Sequence, residues 1–135
     1  MGPHLAFELK MLLAAVAIGL VQLVMSAVSA RRQQNLTWAA GPRDVAMPPL
    51  TGVAGRLDRA FRNFLETFGF FAAAVIVVYL AGRAGNSLSV WGSTLYVAAR
   101  AIYVPLYAAG IPTVRTLAWA VAMAGLLMVI AASLV

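Results

Sequence analysis

Four stretches of this chain are apolar for long enough to cross a lipid bilayer, and that limits its fold before any motif is considered. They cover about residues 5–30, 61–81, 90–109 and 115–135. A hydrocarbon core about 30 Å thick takes roughly 20 helical residues. Within it a helix satisfies its own backbone donors and acceptors, so helical spans are the expected solution. Composition agrees, with 63% of residues apolar and 10% charged, against roughly 25% charged in an average soluble domain. The spans leave only loops between them. The sequence therefore predicts an all-α, integral membrane four-helix bundle, a single domain over residues 1–135 with the lipid bilayer as its first partner.

The first span contains Val28-Ser29-Ala30, which has the small-residue spacing of a cleavage site. Its apolar region exceeds the roughly 7–15 residues of a secretory signal, so the expectation is a retained helix. There is no cysteine, which excludes disulfides, thiolate metal ligands and a protein thiol nucleophile. No metal site is expected. Arginines gather in the first loop as Arg31, Arg32, Arg43, Arg56 and Arg59, with Arg62 just beyond, while the second loop holds Arg83. By the positive-inside rule the first loop is cytoplasmic and both termini are non-cytoplasmic. The net charge of +6 then reads as topology and attraction to anionic headgroups, with no need for nucleic acid.

The most informative residues are those that a membrane disfavours. Arg56, Arg59, Asn63 and Glu66 are spaced 3, 4 and 3 along the second span, which puts them on one helical face, with Arg62 beside it. Tyr96, Arg100, Tyr103 and Tyr107 are spaced 4, 3 and 4 along the third. A charge at the centre of a span costs at least roughly 2.5–3.5 kcal/mol, so such residues must meet a partner or a wet cavity. An ion pair of Glu66 with Arg100 or Arg59 would account for one acid and one arginine. The remaining arginines, with Arg115 opening the fourth span, suit a pocket for an anionic ligand, because guanidinium forks match carboxylates. Tyr79 and Tyr96 read as packing or interfacial residues. Pro105 is expected to bend the third span beside Arg100 and Tyr103. Ala15 with Gly19, and Ala118, Ala122 and Gly125, offer small-residue faces for close helix contacts between subunits.

Arg59-Ala60-Phe61-Arg62-Asn63-Phe64-Leu65-Glu66 resembles the R-A-x-x-N-x-x-E signature of the MAPEG family, membrane-associated proteins in eicosanoid and glutathione metabolism. Arg100, Tyr103 and Tyr107 are similar to that family's R-x-x-[HY]-x-x-x-Y, and Arg115 follows a Gly/Pro turn where the family has an arginine. The resemblance covers essentially the whole chain and is nearest to the short bacterial branch, which implies a multi-pass protein of the bacterial inner membrane. It also implies a homotrimer of four-helix bundles that binds glutathione between subunits. Carried over residue by residue, Arg59, Arg62, Asn63, Glu66, Arg100, Tyr103 and Tyr107 would bind glutathione, and Arg115 with Tyr107 would be catalytic. Arg31 or Arg32 would reach a glutathione carboxylate.

The activity this implies is that of a microsomal-type glutathione transferase or peroxidase acting on lipophilic electrophiles. In several glutathione-using relatives an Asp follows the asparagine, where this chain has Phe64, and a Pro often stands where it has Phe70. Those departures favour the alternative, a non-enzymatic membrane scaffold or a lipid-binding subunit of a larger membrane complex.

Overall fold

The computed structural model describes residues 3–34 and 36–135, Leu36 by its backbone alone. The chain forms helices α1 (Phe7–Gln33), α2 (Leu36–Ala40), α3 (Gly52–Leu80), α4 (Ser87–Ala108) and α5 (Pro112–Leu134), with no strand among the described residues. Helices α1, α3 and α5 are long and apolar enough to cross a membrane. Helix α4 corresponds to the third expected span and falls short in apolarity, not in length. Its 22 residues rise about 33 Å. Its polar side chains face inward: Ser89, Ser93, Tyr96, Arg100 and Tyr103 are all buried, while Trp91 and Ile102 are exposed. Helix α4 thus turns its polar face to the bundle.

Helix α1 continues through Arg31 and Arg32, as the polar run after the first span suggests. The Gly/Pro-rich chain before Gly52 is irregular. Its end is tied back to α1 by the Gln33 amide, which donates to the Thr51 carbonyl (2.8 Å) and accepts from the Thr51 N–H (3.1 Å). At the other end of the bundle, Asn86 caps α4 by accepting from the Ser89 N–H at 2.9 Å. Glu8, fully buried on α1, accepts there from the Gly85 N–H at 2.7 Å and from the Ser89 hydroxyl. The first N–H groups of a helix lack intrahelical acceptors, and the Glu8 oxygen, by accepting at this end, anchors α1 to the start of α4.

The core runs between α3, α4 and α5. Phe71 stacks on Tyr96 with ring centroids 4.0 Å apart, and the Tyr96 and Thr67 hydroxyls share a hydrogen bond at 2.9 Å. Helices α4 and α5 approach backbone to backbone at Gly92 and Gly125. A Cβ on Gly125 would lie 2.5 Å from the Gly92 carbonyl oxygen and 2.8 Å from the Tyr96 nitrogen. This corrects the expected role of the small residues. Ala15, Ala122 and Gly125 are buried within the chain itself, and a Cβ on Gly19 would meet the Phe64 ring at 2.8 Å. Ala15, Ala122 and Gly125 thus serve packing inside the subunit, while Gly19 and Ala118 are half-buried. We expect Gly125→Ala to lower stability by about 1–3 kcal/mol through overpacking. Gly69→Ala, with nothing within 4 Å of the added carbon, should leave it unchanged or improved. Thermal unfolding of the two variants in detergent compares them directly.

Candidate polar cleft between α3, α4 and α5

The polar face of α3 meets the ends of α4 and α5 in an open cleft of about 370 Å³, lined by Arg59, Arg62, Asn63, Glu66, Tyr103, Tyr107 and Arg115. Helical spacing puts the α3 residues in one row, and the same spacing on α4 presents Tyr103 and Tyr107 to it. A tight turn brings in Arg115. Helix α4 ends with Gly110 at φ +74°, and the N–H groups of Gly110 and Ile111 return to the carbonyls of Tyr107 and Leu106 at 3.0 and 3.1 Å. Glycine adopts this left-handed conformation without the Cβ penalty. Pro112 then starts α5, where its fixed φ suits a first helical position. One turn later the Arg115 guanidinium lies 4.5 Å over the Tyr107 ring. Arg59 approaches the same phenol, its Nε donating to Tyr107 Oη at 3.3 Å.

Arg100 does not line the cleft; it lies behind Asn63, buried in the bundle. It is 1% exposed, and its Nη1 donates to Asn63 Oδ1 at 2.8 Å. Its guanidinium carbon lies 4.4 Å from the Tyr103 ring centroid and 5.6 Å from that of Phe64. Among the described residues its Nε and Nη2 are buried without an acceptor. Helix α4 continues through Pro105, and Tyr103 points inward at 3% exposure.

Two expectations require correction. Glu66 is exposed at the rim and, among the described residues, pairs with no arginine: the amide of Asn63 takes Arg100, and the phenol of Tyr107 takes Arg59. Arg56 shares the α3 row but leaves the cleft, donating from Nε to the Ala108 carbonyl at 2.8 Å, where a cation suits the C-terminal end of α4. Two contributors were not singled out from sequence. Asp58 bridges Arg62 at 2.9 Å, a pairing legible in its four-residue spacing. Phe64, read as a family departure, packs beneath Arg100.

A model of the MAPEG family matches residues 11–135. The chain belongs to the MAPEG family. No curated protein matches it closely enough to name a relative. Within this MAPEG protein, both motif rows and the arginine that opens α5 converge on one cleft. The donor set is guanidinium, amide and phenol with a single carboxylate at the edge, a chemistry for anions that also carry a cationic group.

Proposed function

We propose that this MAPEG protein is a glutathione-dependent transferase or peroxidase acting on lipophilic electrophiles, working as a homotrimer of four-span subunits. The observation that carries the reading is the meeting of Arg59, Arg115, Asn63, Tyr103 and Tyr107 with one free carboxylate, Glu66, in a cleft of about 370 Å³, with Arg100 held behind Asn63. Small-molecule sites fall in the range of roughly 300–1,000 Å³. Glutathione carries two carboxylates and one ammonium. Arginines suit the carboxylates, Glu66 suits the ammonium, and the spare Nε and Nη2 of Arg100 suit a buried acceptor. The trimer reading draws support from Glu66. It is exposed inside the apolar stretch of a membrane-length helix, where lipid contact would be costly and a neighbouring subunit would relieve it.

In the transferase reaction the glutathione thiol loses its proton, its sulfur forms a bond to the electrophilic carbon, and the leaving group departs with the displaced electron pair. Arg115 and the Tyr107 hydroxyl stabilise the sulfur anion, and the membrane delivers the second substrate to the cleft. Native mass spectrometry in mild detergent tests binding and assembly together. The expected result is a threefold multiple of the 14.2 kDa chain carrying up to three glutathiones, with Arg59→Leu binding at least about tenfold more weakly. A protein that retains no glutathione at millimolar concentration overturns the reading. Binding without turnover would favour the scaffold alternative, which the Asp58-neutralised Arg62 and the buried Phe64 also suit.

A further inference from the structure

Away from the cleft, α1 and α3 leave a groove between them with two chemically distinct parts. The part at the arginine-rich end, about 300 Å³, has Arg31, Arg43, Trp38 and Asp58 on its walls. The part deeper in the bundle, about 240 Å³, is walled by apolar side chains alone, among them Val16, Leu20 and Phe68. Leu23 and Phe61 line both, so one part runs into the other. From Val16 to Arg31 helix α1 rises about 22 Å, which matches the roughly 20 Å depth of one lipid leaflet with its headgroups.

The charges at the polar part are arranged to receive an anion. Arg43 is steered by its Nε, which donates to the Ala39 carbonyl at 3.0 Å, and its guanidinium lies 5.5 Å over the Trp38 ring. Those contacts leave its terminal nitrogens for a ligand. Arg31 is half-buried at the end of α1. Among the described residues no carboxylate bridges either arginine, because Asp58, the acid on this wall, is held by Arg62.

We propose that this groove binds one anionic glycerophospholipid per chain, with its phosphate between Arg31 and Arg43 and one acyl chain laid along α1 and α3. Guanidiniums match phosphate oxygens, and the apolar walls match a hydrocarbon chain. A zwitterionic headgroup brings a quaternary ammonium to the same two cations and is disfavoured. The groove shares no lining residue with the cleft of Arg59, Asn63 and Arg115, and Arg31, which the family resemblance would carry to a glutathione carboxylate, is assigned here to the lipid phosphate.

The test is lipid retention from mixed micelles of phosphatidylglycerol and phosphatidylcholine at equal amounts, read as bound lipid per chain. Wild type should keep one phosphatidylglycerol per chain in preference to phosphatidylcholine. Arg31→Gln combined with Arg43→Gln should reduce that preference by about 30-fold. Leu20→Trp, which fills the apolar part without touching the arginines, should lower retention of both lipids. Equal retention of the two lipids by wild type overturns the proposal, as does a preference undiminished in the double variant. Displacement by millimolar glycerol phosphate would mean a soluble-anion site. Displacement by glutathione would mean that Arg31 serves a glutathione site. Either result overturns the lipid assignment.

Discussion

Arg115→Leu is expected to lower thiol conjugation by about 10²- to 10³-fold while glutathione remains bound, the range seen when one preorganised charge-stabilising donor is removed. A free thiol of pKa about 8.5 is mostly protonated at neutral pH, so the reaction depends on whatever favours the sulfur anion. Arg115 supplies a fixed positive charge, and it stands in the first turn of α5, where the helix dipole adds partial positive charge of the same sign. Its stacking 4.5 Å over Tyr107 fixes the guanidinium beside a phenol able to donate to the same sulfur. Arg115→Lys keeps the charge but not the planar stack, so it should retain an intermediate rate. Arg83→Leu is the control, since Arg83 binds the carbonyl of Val135 outside the cleft. Conjugation of a generic electrophile, measured beside glutathione affinity, decides the matter. If Arg115→Leu turns over like wild type, the catalytic assignment is wrong. If wild type does not exceed the uncatalysed rate, the protein is no transferase.

The cleft was legible because helical spacing is rigid. Positions three and four residues apart share a face whatever surrounds them, so the rows on α3 and α4 could be drawn before their partners were known. What the spacing could not show was which partner each group takes. Glu66 looked like the natural mate of Arg100 or Arg59, yet Asn63, one turn earlier, takes Arg100, and the Tyr107 phenol takes Arg59. The small residues misled for a related reason. A stripe of Ala and Gly marks close helix approach but does not say whether the approaching helix belongs to the same chain, and here Gly125 meets Gly92. Nothing in the pattern of the first span assigns Glu8 a partner, and its role emerged only when the turn at Gly85 was folded against it. Helix α2, five residues long, is below the length at which local sequence specifies a helix. The weak apolarity of α4 follows from its inward face, where Ser89, Ser93, Tyr96, Arg100 and Tyr103 are buried in the bundle and lower the hydropathy of the helix that carries them.

Asn63→Leu is expected to destabilise the fold by about 3–5 kcal/mol, the cost of breaking a buried charged pair from one side. Asn63 is an amide and not an ion, but the argument holds because of what would be left behind. Among the described residues its oxygen accepts the one hydrogen bond that Arg100 makes, and Nε and Nη2 are already without acceptors. Taking Asn63 away leaves a guanidinium that is 1% exposed with no hydrogen bond at all. The rings of Tyr103 and Phe64 remain, and cation–π contacts contribute about 2 kcal/mol when desolvated, too little to replace the acceptor. The prediction separates loss of a partner from loss of a contact surface. Combining Asn63→Leu with Arg100→Met removes the charge along with its acceptor and leaves a flexible apolar side chain between two aromatic rings. Replacing a buried polar pair by packed apolar groups is often neutral or stabilising, so the double variant should recover most of the stability lost in Asn63→Leu. Denaturant titration in detergent gives the order: wild type and double variant close together, the single variant well below. If Asn63→Leu unfolds with wild type, Arg100 is solvated through the cleft and its burial is not what makes Asn63 necessary.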